Sequence, residues 1–158
     1  MNFHPTNITL HIVIAGIWLS YFIIENRLKA QIKNSGTKET KLFVIKQYLK
    51  FSKVFMLIVS VGIAVTGILL VLFNSHYGFF NMSNNHWLAT KQILFVIILI
   101  NIFINLLPSI KKVTRLIEQN ATENEYEKFL RKIFKANLLI NILALLNFLF
   151  AITHKFYS

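Results

Sequence analysis

The sequence predicts an all-α integral membrane protein, a bundle of four transmembrane helices that forms a single domain. Hydrophobic residues make up 55% of the 158 residues and charged residues 15%, whereas charged residues make up about 25% of a soluble domain. The apolar residues are concentrated in four runs, each close to the ~20 residues that a helix needs to cross a bilayer. Most charged residues lie between these runs, which is the distribution expected when only the connections meet water.

The first predicted span covers residues 7–25 and carries a polar stripe. At about 100° per residue of helix, one face holds His11, Ala15, Trp18, Phe22 and Glu25. The opposite face, with Ile12 and Ile23, is apolar. A polar side chain left against lipid is energetically costly. We therefore expect the stripe to face other helices.

The second predicted span covers residues 54–74 and contains two stripes of small residues. One stripe is Met56, Ser60, Ala64 and Gly67, and the other contains Gly62 and Thr66. Small residues allow helices to approach closely, so two stripes predict two neighbouring helices. The preceding residues 26–53 are predicted to be a basic loop, with a turn at residues 34–36 and a helical extension at the membrane surface.

The third predicted span covers residues 88–107, and Pro108 is expected to end it. Its polar stripe holds Lys91, Leu94, Ile98, Asn101 and Asn105. Residues 109–134 are predicted to form a second charged loop, in which Thr122 and Glu125 have the spacing of a capping box that starts a short helix.

The fourth predicted span covers residues 135–153 and carries Asn137, Asn141 and Asn147. Asparagines within apolar helices most often form hydrogen bonds between helices. We expect these three, together with Asn101 and Asn105 of the third span, to hold the bundle together.

The basic residues predict the orientation of the chain. All but two of the 17 Lys and Arg residues lie in the two charged connections or their flanks. The positive-inside rule therefore predicts cytoplasmic connections and external termini, most simply in a bacterial inner membrane. Because these positive segments would lie against anionic lipid, the net charge of +11 does not require nucleic acid as a partner.

The five histidines all fall in the predicted outer half of the bundle: His4, His11, His76, His86 and His154. Histidine is a common ligand of metals and haem, and the absence of cysteine excludes thiolate ligands. Four of the five lie at helix ends or in loops, where histidine is also comfortable without a ligand. His11 differs because it lies within an apolar run, where it either binds a ligand or forms a hydrogen bond between helices.

Lys91 is the second unusual residue, because its ammonium group lies within an apolar span and needs water or an anion. It either extends toward the membrane surface or meets a carboxylate of a ligand, such as a haem propionate. Together with His11, and with Trp18 on the same face as His11, it fits an anionic porphyrin in a four-helix bundle. Histidines at one end only favour one haem, with His76, His86 or His154 as second axial ligand.

Two short motifs resemble a known family. The segment HIVIAGIWLSYFIIENRL, with His11 and Trp18 seven residues apart, resembles the first helix of the HemJ-type protoporphyrinogen oxidases and of the related CopD-type copper-resistance domains. The segment beginning at His86 and Trp87 and reaching Lys91 is similar to the start of their third span. The resemblance implies haem b binding or tetrapyrrole chemistry for the first branch and copper handling for the second. It also implies that His11 is the haem-associated histidine and Lys91 the family's lysine.

Three functions remain open from the sequence. The first is a haem b-binding protein in electron transfer or tetrapyrrole oxidation. The second is a non-catalytic subunit that scaffolds a larger membrane complex, in which case other subunits or a second copy are its partners. The third is copper handling by Met82 with His11, His76, His86 and His154. No hydrolase triad, phosphate-binding loop or zinc motif is present in the sequence, and no catalytic residue is predicted.

Overall fold

The computed structural model of the chain describes residues 3–74, 77–83 and 85–153. Within these residues it contains no strand and four long helices: α1 (Phe3–Lys33), α2 (Lys38–Leu72), α3 (His86–Glu118) and α4 (Glu123–Thr153). Each is long and apolar enough to cross a membrane. The predicted all-α four-helix architecture is confirmed.

The helices form two antiparallel pairs that pack into one bundle. α1 packs along α2, α3 packs along α4, and contacts of α1 with α4 and of α2 with α3 join the pairs. The short connections 34–37 and 119–122 lie at the same end of the bundle, which we call the turn end. An ion pair between Lys41 and Glu123 joins the starts of α2 and α4 there. The connection 73–85 lies at the opposite end, the loop end.

Both turns at the turn end follow from local sequence. The predicted turn at residues 34–36 is confirmed, and Thr37 caps α2 by accepting a hydrogen bond from the Thr40 backbone N–H (3.2 Å). Asn120 adopts a left-handed conformation (φ 53°), which asparagine tolerates better than most residues. The predicted capping box is present in part, because the Glu125 carboxylate accepts hydrogen bonds from the Thr122 backbone N–H (2.7 Å) and hydroxyl (2.8 Å). The helix it starts is the 31-residue α4 rather than the predicted short one.

The basic segments are helical, so the predicted helical extension before the second span is confirmed, and the prediction that the rest of these segments forms long loops is wrong. Residues 26–33 extend α1 and residues 38–53 open α2, while most of 109–134 belongs to α3 and α4. The spans are apolar on all sides, whereas these extensions are amphipathic. In α3, Ile110, Val113 and Ile117 are buried while Lys111 and Lys112 are exposed. The helices therefore continue past the apolar spans because their inner faces still pack against one another.

Pro108 does not end the third helix, contrary to the prediction. α3 is α-helical over His86–Ile100, π-helical over Asn101–Leu106 and α-helical again over Leu107–Glu118. The Leu107 backbone N–H donates to the carbonyl of Ile102, five residues back. A proline in a regular helix lacks an N–H and clashes with the carbonyl four residues earlier. The wider π turn lets the chain accommodate Pro108 and continue.

The exterior of the bundle is apolar over the predicted spans. Each helix has strongly exposed residues, for example Ile23 (66%), Ile58 (67%), Ile104 (66%) and Ile142 (47%). Soluble proteins rarely expose such extensive apolar surface, whereas helices in a bilayer present it to lipid. This surface is compatible with contact to a lipid bilayer.

Close approach of α1 and α2 depends on two glycines. A Cβ atom at Gly62 would lie 3.2 Å from Ile14 Cδ1, and one at Gly67 would lie 3.6 Å from His11 Cε1. Both glycines therefore face α1. The prediction that the two small-residue stripes of α2 serve two different neighbours is wrong at these positions.

Candidate functional site

Two polar clusters lie inside the bundle, one toward the loop end and one toward the turn end. The first, the His11 site, comprises His11, Thr66 and Lys91. The second, the Glu25 network, joins polar side chains from α1, α2 and α4.

In the His11 site, the imidazole is held by α2. His11 Nδ1 lies 2.7 Å from Thr66 Oγ1. The Thr66 hydroxyl donates its single proton to the carbonyl of Gly62, also at 2.7 Å. With the Thr66 proton on that carbonyl, the Thr66 oxygen accepts from the imidazole, and in this tautomer His11 Nδ1 carries the proton and Nε2 the lone pair. Nε2 forms no hydrogen bond to any residue in the described part of the chain.

Lys91 is half-buried in the part of α3 near the loop end. Its Nζ lies 5.7 Å from the centroid of the Trp87 ring, within the range of a cation–π contact. The ion pairs of the described residues are Lys29–Glu25, Lys41–Glu123 and Arg131–Glu127, and none involves Lys91. The ammonium group therefore has no protein carboxylate beside it within residues 3–74, 77–83 and 85–153.

Of the two aromatic residues of the predicted stripe, Trp18 faces the interior as expected and Phe22 does not. Trp18 is 4% exposed and meets Phe95 of α3 edge to face, with ring centroids 6.5 Å apart. Its indole N–H is buried without a hydrogen-bond partner among the described residues. Phe22 is exposed, so its predicted position inside the bundle is wrong. Trp18 is a packing residue between α1 and α3.

The other histidines are not brought together within the described residues. His86 is exposed at the start of α3, and Met82 is exposed in the connection 73–85. His76 and His154 lie outside the described residues, and so does the side chain of His4. In the described part of the chain, no three His, Cys, Asp or Glu side chains lie close enough together to hold a metal ion.

The Glu25 network centres on a carboxylate that is 1% exposed. It receives three donors: the Tyr48 hydroxyl (3.1 Å), the Asn141 amide (2.6 Å) and the Lys29 ammonium (2.5 Å). Lys29 is one helical turn after Glu25, and its side chain is 23% exposed. The carboxylate is therefore fully partnered, and its counter-ion connects it with the surface of the bundle.

Asn137 of α4 extends the network to the side chains of Tyr21 and Ser52. Its Nδ2 lies 2.7 Å from the Tyr48 hydroxyl, 3.1 Å from Ser52 Oγ and 3.2 Å from the Tyr21 hydroxyl. Tyr21 in turn donates to Ser52 (2.9 Å). The Asn137 carbonyl oxygen has no hydrogen-bond partner in the described chain. The network joins α1, α2 and α4 through side chains alone.

The sequence contains a signal for this network. Tyr21 and Glu25, Tyr48 and Ser52, and Asn137 and Asn141 are three pairs of polar residues spaced four apart on three helices. Residues at this spacing share a helix face. The sequence does not show that the three faces meet, because that depends on how the helices are arranged.

Asn101 and Asn147 confirm the prediction that they join helices, whereas Asn105 bonds only within α3. Asn101 donates to the backbone carbonyl of Ala136 on α4 (3.0 Å), and Asn105 donates to Asn101 (2.9 Å). Asn147 of α4 donates to the backbone carbonyl of Lys91 on α3 (3.1 Å). The bonds of Asn101 and Asn147 cross the contact between α3 and α4.

Comparisons of the chain with protein-family models, with curated proteins and with solved structures found no match.

Proposed function

We propose that this chain is a haem b-binding protein of a bacterial inner membrane, with its turn end in the cytoplasm, that acts in electron transfer or tetrapyrrole oxidation. The turn end carries nearly all of the basic residues, which supports this orientation. The proposal agrees with the resemblance of the first helix to the HemJ-type oxidases.

The contact of His11 Nδ1 with Thr66 Oγ1 is the observation that carries the proposal. Histidines that bind metals usually donate the N–H of their other nitrogen to a fixed acceptor, which sets the tautomer and the orientation of the ring. Thr66 provides such an acceptor, because its own proton is used by the Gly62 carbonyl. His11 Nε2 is left as the nitrogen able to bind iron.

Lys91 supports an anionic ligand at the same site. An ammonium group within an apolar span requires a compensating anion or water, and no described carboxylate lies beside it. A propionate of haem b has the required charge. Bound haem supplies one-electron chemistry at its iron, while His11 and Lys91 bind and orient it.

A small cleft lies near the loop end, but none of His11, Thr66 and Lys91 lines it. The cleft between α1 and α2 near the loop end is lined by Thr6, Asn7, Leu10, Leu69 and Phe73 and measures about 180 Å³. Pockets for cofactors are typically about 300–1,000 Å³. We therefore propose that a second copy of the chain or another membrane subunit supplies the rest of the pocket, and that His76, His86 or His154 supplies the second ligand.

The absorption spectrum of the purified full chain tests this function. Protein prepared from haem-replete cells is expected to show a Soret band that His11→Ala abolishes. Thr66→Val removes the acceptor that orients His11 and is expected to weaken the band. Thr9→Val is the matched control, because the Thr9 hydroxyl donates only to a carbonyl of its own helix. A colourless wild-type protein, or a band unaffected by His11→Ala, would refute the proposal.

A non-catalytic scaffolding subunit is the second candidate. It is favoured by the interior asparagines, whose amide groups bond other helices or each other. In that case cross-linking in membranes would join the chain to other subunits, and the purified protein would contain no haem. Metal analysis of the same preparation tests the copper alternative.

A further inference from the structure

The outward face of α4 at the turn end carries a row of basic side chains. Lys128, Arg131, Lys132 and Lys135 are all exposed. With Asn124 and Glu127 they line a shallow groove of about 500 Å³. Arg131 pairs with Glu127 (2.9 Å), but within the described chain the three lysines form no ion pair. The groove therefore has a net positive charge.

The same face becomes apolar one turn further along the helix. At about 100° per residue, Leu139, Ile142 and Leu146 lie on the same side of α4 as Lys128, Lys132 and Lys135. All three are exposed: Leu139 is 45%, Ile142 47% and Leu146 41% exposed. A single unpartnered face thus changes from cationic to apolar immediately after Lys135.

We infer that this face binds one membrane phospholipid with an anionic headgroup. The phosphate would lie on Lys132 and Lys135, and an acyl chain would follow Leu139, Ile142 and Leu146. From Lys135 to Leu146 the helix rises about 17 Å, which is close to half of the ~30 Å hydrocarbon thickness of a bilayer. The charged part of the face matches a headgroup, and the apolar part matches the depth of one leaflet. Free phosphate would contact only the charged part of the face.

The inference does not depend on haem binding, because the groove and the His11 site lie toward opposite ends of the bundle. It is also more specific than a general attraction of basic helix ends to anionic lipid. If the groove is a binding site, removing charges from it must lower lipid affinity more than removing the same number of charges from another helix at the same end.

Native mass spectrometry of the delipidated full chain in detergent tests the inference, with dioleoylphosphatidylglycerol as the probe. The test variant is Lys132→Gln with Lys135→Gln. The matched control is Lys46→Gln with Lys50→Gln, two exposed lysines of α2. Each basic residue near an anionic lipid surface is worth about fivefold in affinity. We therefore expect a loss of about 25-fold in the test variant and less than about threefold in the control.

Two further probes identify the ligand. Dioleoylphosphatidylcholine has the same acyl chains without net charge and is expected to bind much more weakly. Inorganic phosphate is expected to leave no adduct. Equal losses in the two variants would show only diffuse attraction and overturn the inference. Equal binding of the two lipids, or retention of phosphate alone, would overturn it as well.

Discussion

Replacing Glu25 with leucine is expected to destabilise the bundle by about 3 kcal/mol. The change leaves the Tyr48 hydroxyl and the Asn141 amide without the acceptor they have in the structure. A buried donor that loses its partner costs about 1–3 kcal/mol. The Lys29 side chain is 23% exposed and can turn toward water, so its contribution is small. A loss of about 3 kcal/mol lowers the folding equilibrium constant roughly 100-fold.

Reversible unfolding in mixed micelles with increasing sodium dodecyl sulfate measures this loss. Glu25→Gln keeps one acceptor oxygen and is expected to cost about half as much. Glu118→Gln is the control, because Glu118 is exposed, and surface changes of this kind usually stay within about 0.5 kcal/mol. If Glu25→Leu unfolded at the same detergent fraction as the Glu118 variant, the Glu25 network would not stabilise the fold, and our reading of it would be wrong.

Two further predictions concern packing between helices. Asn137→Ala removes the donor shared by Tyr48 and its neighbours and should cost about 1–3 kcal/mol in the same unfolding experiment; an unchanged midpoint would contradict this. Gly62→Leu should cost about 1–3 kcal/mol by overpacking against Ile14, whereas Gly16→Leu should be tolerated, because nothing lies within 4 Å of a Cβ there. Equal stability of the two leucine variants would show that α1 and α2 do not require close approach at Gly62.

The fold class was predictable because the relevant signals are local. Apolar runs of bilayer length, turn residues at 34–36 and the Thr122–Glu125 capping box each act within a few residues. The ends of the helices were harder to predict. The segment 38–53 was predicted to lie partly at the membrane surface, but its inner face, including Ile45 and Tyr48, is fully buried.

Pro108 shows the limit of a local rule. A proline usually ends a helix because it lacks an N–H and clashes with the preceding turn. Here the π turn at Asn101–Leu106 provides a wider turn, and Asn101 within it bonds to the Ala136 carbonyl. Packing against α4 holds the distorted turn in place, and no pattern around Pro108 reveals that support.

The candidate site was predicted only in part. Periodicity identified His11 as a polar residue facing the interior, and it identified Lys91 as a charge within an apolar span. It did not identify the hydrogen bond from His11 to Thr66, since Thr66 was noted only as a small residue. It also placed Phe22 in the interior, although that residue is exposed.

The sequence by itself determined that this protein is made of four membrane-length helices, because hydrophobicity and helical periodicity are properties of neighbouring residues. Only the tertiary structure decided which polar faces meet. Glu25, Tyr48 and Asn137 come from three helices and are far apart in the chain, yet they share one hydrogen-bonded network. The physical reason is that a buried polar group must find a partner wherever packing places one, and packing depends on all four helices at once.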